Sequence, residues 1–98
     1  MRVRVEKGAH GDVADIAEFY DDQETGVGAY FARQFIAKAI ELQDTGGTHG
    51  KRQTFHFCLV DRFPVGIYYK IQEDEVRVHA VTHCRRSPRW IRQQLKNR

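Results

Sequence analysis

An α+β fold, in the order β-α-α-β-β-β-α with a mainly antiparallel sheet and a helical hairpin on one face, is what this sequence predicts. Three observations lead there. Apolar residues recur at helical spacing over residues 13–42, the period changes to two over residues 55–83, and short polar or glycine-bearing turns separate the segments. Ninety-eight residues suit a single domain spanning 1–98. A chain of that size buries roughly 60–65% of the surface it exposes when unfolded, so its core is modest.

The segment Arg2-Val3-Arg4-Val5 alternates polar and apolar, as a half-buried strand does. Gly8 to Gly11 is expected to break it, with Asp12 capping the next helix and Asp15 near that helix's positive end. Val13, Ile16, Ala17 and Tyr20 then recur at helical spacing, and Asp21-Asp22 with Gly26 and Gly28 end the run. A second helix is expected over about 27–42, carrying Phe31, Phe35 and Ala39 flanked by Ala32, Ile36 and Ile40, before the Gly46-Gly47 stop. The short turn between the helices makes them an antiparallel hairpin. The aromatics Phe19, Tyr20, Tyr30, Phe31 and Phe35 read mostly as its core.

Beyond the loop 45–52, Phe55, Phe57 and Leu59 alternate with His56, Cys58 and Val60. A tight connection at Asp61-Arg62 leads to Phe63, Val65, Ile67, Tyr69 and Ile71, opposed by Gly66, Tyr68 and Lys70. After the polar turn Glu73-Asp74-Glu75, Val76, Val78, Ala80 and Thr82 alternate with Arg77, His79, Val81 and His83. These three strands form a meander, and Pro88 can start a short last helix over 89–95. The helical hairpin is expected to cover Phe55, Ile67 and Val78. The opposite face is then left open, carrying His56, Tyr68, Lys70, Arg77, His79 and His83, with Arg85 and Arg86 leaving its edge.

Net charge is +3, but residues 1–49 hold five Lys/Arg against nine Asp/Glu, while residues 50–98 hold eleven against four. A C-terminal half that is cationic by seven charges suits an anionic partner; a solvated tail that keeps the protein soluble explains it equally. No apolar run reaches the ~20 residues of a membrane span. Residues 1–11 lack the apolar block of a signal peptide, so a bacterial cytoplasmic protein with no membrane partner is the expectation. Cys58 and Cys84 read as free thiols on opposite faces.

The stretch Phe63-Pro64-Val65-Gly66-Ile67-Tyr68-Tyr69 resembles the FPxxIYY strand of RelE/ParE-type toxins. The segment from Val76 to Pro88 resembles their last strand with its His-x-Arg-Arg-x-Pro exit, here His83 to Pro88. Ala14-Asp15-Ile16, Phe19-Tyr20, Gly26-x-Gly28 and Phe31 are similar to their helical hairpin. The likeness spans about residues 9–92.

The resemblance implies a growth-inhibiting toxin, of the kind encoded by plasmid stabilisation modules. A cognate antitoxin neutralises it, and operator DNA is reached only through that antitoxin. Two targets divide such toxins: DNA gyrase for ParE-like members, which are not nucleases, and messenger RNA in the ribosome for RelE-like members. Gly66 stands where the nucleases carry an arginine, and Trp90-Ile91 stand where a tyrosine follows their last strand. Both departures favour the ParE-like branch, a gyrase inhibitor, although Arg85 matches a basic position the nucleases use.

No catalytic residue is assigned. Were the chain a ribosome-dependent mRNA endoribonuclease, His83, Arg85 and Arg86 would be the candidates: an imidazole supplies acid–base help, and guanidiniums stabilise a phosphorane. As contacts for target or antitoxin we single out His56, Arg62, Tyr68, Lys70, Arg77, His79, His83, Arg85, Arg86 and Trp90. Tyr68 could stack on a base; a covering antitoxin segment is the plainer expectation. Trp90 reads equally as an anchor for the last helix and as an exposed contact. A plain nucleic-acid-binding module is the third reading, and would show a salt slope of about −3 to −3.5 for four or five phosphates. No metal or other cofactor is expected: four residues along a strand put His79 and His83 roughly 13 Å apart.

Overall fold

A computed structural model describes all residues, 1–98. The elements are β1 (Arg2–Val5), α1 (Lys7–Gln23), α2 (Val27–Thr45), β2 (Lys51–Arg52), β3 (Phe55–Leu59), β4 (Val65–Gln72), β5 (Glu75–His83) and α3 (Pro88–Lys96). They form a mixed five-stranded sheet in the order β1-β5-β4-β3-β2, in which β1 runs parallel to β5 and every other pair is antiparallel. The expected α+β order is present, with a short extra strand, β2, ahead of β3.

The hairpin turns carry the twist of the sheet. Gln53-Thr54 and Glu73-Asp74 all have positive φ, between Arg52 and Phe55 and between Gln72 and Glu75. Two central residues in the left-handed region define the turn that matches right-handed strand twist, although none of the four is glycine.

Helix α1 starts earlier than the sequence suggests. Gly8 and Gly11 lie inside it, and Asp12 is an interior residue rather than its cap. Each glycine costs about 1 kcal/mol relative to alanine, but the extra turn places Ala9 fully in the core. The carboxylate of Asp12 is used elsewhere: Oδ2 accepts the Val81 N–H at 2.9 Å, and Arg98 reaches both carboxylate oxygens, at 2.6 and 2.9 Å. The turn into α2 is closed by Asp21, whose Oδ1 accepts the N–H groups of Gly26 and Gly28. A Cβ at Gly28 would run into the Ala17 carbonyl, so glycine is what lets the two helices cross this closely.

The α1–α2 hairpin covers one face of the sheet. Phe31, Phe35 and Leu42 from the helices meet Val65, Ile67, Tyr69, Val76 and Val78 from the strands. Two expectations about this face are corrected. The β3 alternation runs the other way: Cys58 and Val60 face the hairpin, while Phe55 and Phe57 face away. Pairing decides it, because Cys58 sits opposite Ile67 and His56 opposite Tyr69, and directly paired residues share a face. In β5 the register against β4 slips between Tyr68 and Tyr69, leaving His79 as the extra residue. One extra residue reverses alternation. Val81 and His83 therefore join the hairpin side, while Ala80 and Thr82 turn away, the reverse of the expected assignment.

The second face is not left open. Helix α3 lies across it, and Ile91 and Leu95 close over Phe55, Tyr68 and Ala80, with Phe57 and Trp90 at the margin. Ser87 caps α3 by accepting the Trp90 N–H, and Pro88 occupies the first turn.

Candidate functional site

The expected cationic face divides into three places. On the α3 side, Tyr68 is only 3% exposed and cannot offer its ring to a base. Its neighbour Gly66 leaves a hollow filled by the Phe57 ring, which a Cβ at 66 would strike. The Arg52 guanidinium lies over Phe57 at 4.1 Å, and the Lys70 ammonium lies over Phe55 at 4.4 Å. Arg77 is neutralised by Glu75 at 2.9 Å and Glu73 at 3.6 Å, and also bonds Gln72. His79 packs edge-on against Phe55, with Nε2 buried and unpartnered, and burial holds its imidazole below the usual histidine range.

His56 belongs to a second place, at the far edge of the hairpin side. Its ring stacks on Tyr69 at 5.1 Å, and Nδ1 donates to the His49 carbonyl at 2.8 Å. The buried Tyr69 hydroxyl accepts the Gly47 N–H and meets His49 Nδ1 at 2.6 Å. This network ties the α2–β2 loop to the sheet. Arg62 stands apart in the β3–β4 turn, exposed and with positive φ.

The third place is a cleft, and it is where His83, Arg85 and Arg86 do come together. Strand β1 ends at Val5, opposite Val78, so the remainder of β5 has no strand on that side. The gap between α1 and α3 opens there as two adjoining hollows of about 420 and 250 Å³, both lined by Asp15, Ile16, His83 and Arg86. Phe19 and Arg85 complete the outer hollow. Thr82, Trp90 and Gln94 help to line the inner one.

His83 is packed edge-on against Phe19 at 5.3 Å and tilted against Tyr20 at 5.6 Å. Its Nδ1 is buried and unpartnered. Burial first, then the charges of Arg85 and Arg86, hold the imidazole below its ordinary value, so it is neutral at pH 7. Arg85 and Arg86 are exposed and have no carboxylate partner. Trp90 holds Arg86 by its ring face at 4.3 Å while also flanking the α3 cluster, as the anchor reading expects.

Some cleft residues escaped the sequence reading. Phe19, expected in the core, is 43% exposed; it lies one position off the Ile16/Tyr20 stripe, which was the available signal. Asp12 and Arg98 brace the cleft's inner end across 86 positions, and no local pattern reveals such a pair. Cys58 is buried and its thiol is pushed up to about 11, chiefly by burial; Cys84 is exposed, and both are free. No three His, Cys, Asp or Glu side chains converge as metal ligands would.

The chain shares its fold, a β-α-α sheet cover, an antiparallel meander and a short helix returning over the other face, with a solved structure. The similarity is concrete in a solved structure of the chromosomal ParDE toxin–antitoxin system from P. aeruginosa. It superposes with a TM-score of 0.75 over 85% of this chain and 95% of that one, at 12% identity. In sequence, no family model matches the chain, and no curated protein matches it either.

Proposed function

We propose that this chain is the single-domain toxin of a type II toxin–antitoxin pair, acting in the cytoplasm by binding a protein target, DNA gyrase, and neutralised by a cognate antitoxin. The ParE-like fold supports the class. One observation carries the mode of action: the cations expected to line an open sheet face are occupied. Arg77 is ion-paired, Lys70 lies on a phenylalanine ring as Arg52 also does, and the start of β4 presents Gly66 under a phenylalanine rather than a cation. A ribonuclease of this fold needs convergent positive charge at the scissile phosphate, and the engagement of Arg77 and Lys70 supports the non-nuclease reading. No helix is long and apolar enough to cross a membrane. Operator DNA is reached through the antitoxin.

Inducible expression with colony counts tests the class: growth arrest is expected, and relief on co-expression of the protein encoded by the adjacent gene. Supercoiling by purified gyrase tests the target. Inhibition at micromolar protein is expected, and an unaffected reaction removes gyrase. A second reading has its own observation, the neutral His83 beside Arg85 and Arg86 at an open cleft. Primer extension on translated messages separates it. New cuts within coding regions would establish a ribosome-dependent endoribonuclease; arrest without cuts would eliminate it.

A further inference from the structure

We propose that the outer face of α2 is a self-association surface, against which a second copy of this chain lays its own α2, antiparallel across a two-fold axis between Lys38 and Ala39. The pairing would form whether or not the chain arrests growth.

Helix α2 is apolar on two sides. Phe31, Phe35 and Leu42 turn inward to the core. At about 3.6 residues per turn, Ala29, Arg33, Ile36, Ala37, Ile40 and Asp44 gather in one stripe on the opposite side. All six are exposed, Ile36 and Ile40 by 55% and 58%. A helix that covers a sheet is ordinarily polar on the side turned away from it. Here two isoleucines one turn apart, with Ala37 beside them, form an apolar patch in that place, and such a patch marks a contact surface.

The charges say what covers it. Arg33 and Asp44 stand at the two ends of the patch, about three turns apart and so on the same side of the helix. Neither pairs with an opposite charge in its own chain, and Arg33 only approaches the Tyr30 ring at 5.9 Å. A second α2, turned end for end about the middle of the patch, sets its Asp44 against Arg33 and its Arg33 against Asp44. The same rotation lays Ile40 of each copy on Ala37 of the other, where the small side chain lets the helices approach closely. A two-fold axis makes every contact occur twice, so one apolar centre is closed at both ends by an ion pair.

Other occupants fit this face less well. A lipid surface selects helices whose polar margin is basic, whereas Glu41 and Asp44 border this stripe. A uniformly acidic or basic peptide would meet a charge of the wrong sign at one end. A second copy reverses the order of charges by symmetry alone. One helical stripe from each copy covers less than the ~1,200 Å² at which stable interfaces begin, so the dimer is weak, dissociating at about 10–100 µM.

Sedimentation velocity of the full chain from about 5 to about 500 µM spans that range. The parent is expected to pass from monomer to dimer. Ile36→Ser/Ile40→Ser should weaken association about tenfold or more. Charge reversal gives the signature of the antiparallel arrangement. Arg33→Glu brings carboxylates together at both ends and Asp44→Lys brings cations together, so each variant alone should associate more weakly than the parent. The double variant Arg33→Glu/Asp44→Lys should regain association. An equimolar mixture of the two single variants should form a heterodimer, because each supplies the sign that the other needs. All these positions are exposed, and circular dichroism spectra matching the parent's would confirm folding. The inference is overturned if the parent stays monomeric throughout, if the isoleucine variant associates like the parent, or if neither the double variant nor the mixture regains association. It is equally overturned if the parent remains a monomer yet sediments with phosphatidylglycerol vesicles and the isoleucine variant does not, which would assign the stripe to a lipid surface.

Discussion

Under the α1–α2 hairpin, Phe31, Leu42, Ile67, Tyr69, Val76 and Val78 are all sealed from solvent; under α3 only Ala80 is, and Phe57 and Trp90 stay partly exposed. The first face is a conventional close-packed core. The second is a thin layer in which aromatic rings meet one short helix on one side and the cations Arg52 and Lys70 on the other. The same sheet thus has one face devoted to stability and another whose cover is light. The cleft sits where neither cover reaches, beyond the end of β1.

The contrast can be measured. Phe31→Ala removes a fully buried ring from the main core and should cost about 3–5 kcal/mol. That is a large share of the ~5–15 kcal/mol that holds a domain folded. Ile91→Ala on α3 should cost about 2 kcal/mol, at the low end for its type, because the site is shallow and can collapse. Urea midpoints of the two variants check this. Equal losses would mean that the α3 face is a second core of equal weight, and the division drawn here would fail.

Gly66→Ala probes the join between the layers. The new methyl group would collide with the Phe57 ring, which must tilt outward and lose its seat under Arg52. Such overpacking costs about 1–3 kcal/mol. In a Phe57→Leu background the same substitution should be nearly neutral, and a double-mutant cycle reads that coupling directly. An additive result would separate Gly66 from Phe57 and leave the glycine unexplained.

These two residues also show how far the sequence was legible. The element order, the helical hairpin and the core of β4 follow from period and turn chemistry, since Val65, Ile67 and Tyr69 are apolar at every second position. The faces of β3 were not legible, because Phe55/Phe57 and Cys58/Val60 are both apolar alternations and only pairing with β4 chooses between them. A bulge leaves no mark where both alternations carry apolar residues, Ala80 on one and Val81 on the other, so the switch at His79 was invisible and carried His83 to the other side. Of the site, the sequence located the cluster of His83, Arg85 and Arg86 but not its walls. Asp15 and Phe19 come from α1, far away in sequence, and a cleft is a tertiary property.

Asp12→Ala tests the brace between α1, β5 and α3. It leaves Arg98 without its carboxylate and the Val81 N–H without an acceptor. Both side chains are about one-fifth exposed, so solvent screens part of the loss, and about 1–2 kcal/mol is expected. Asp12→Asn keeps an acceptor for Val81 and should lose less. Amide exchange at Val81 should accelerate in the alanine variant and much less in the asparagine one. If both variants exchange like the parent protein, Asp12 does not hold the β5 edge.

The smallest expected effect is a pH dependence that distinguishes the two faces by one histidine each. His79 on the α3 side and His83 on the hairpin side both have imidazoles held below the usual value, in each case mainly by burial. A lowered folded-state value means that the unfolded chain takes up the proton first. Stability contributed by the neutral rings is therefore fully present above about pH 6.5, the unfolded value. It declines as pH falls through the lowered folded values, and levels off once the folded rings are charged too. Urea midpoints between about pH 7.5 and 5.5 should fall, over a range in which ordinary carboxylates stay ionised. His83→Gln loses packing against Phe19 at every pH, so the readout is the slope, which should be shallower than in the parent. An unchanged slope would place the titrating group elsewhere. His79→Gln should reduce the same slope independently, because the two rings lie on opposite sides of the sheet and their protonation energies should add.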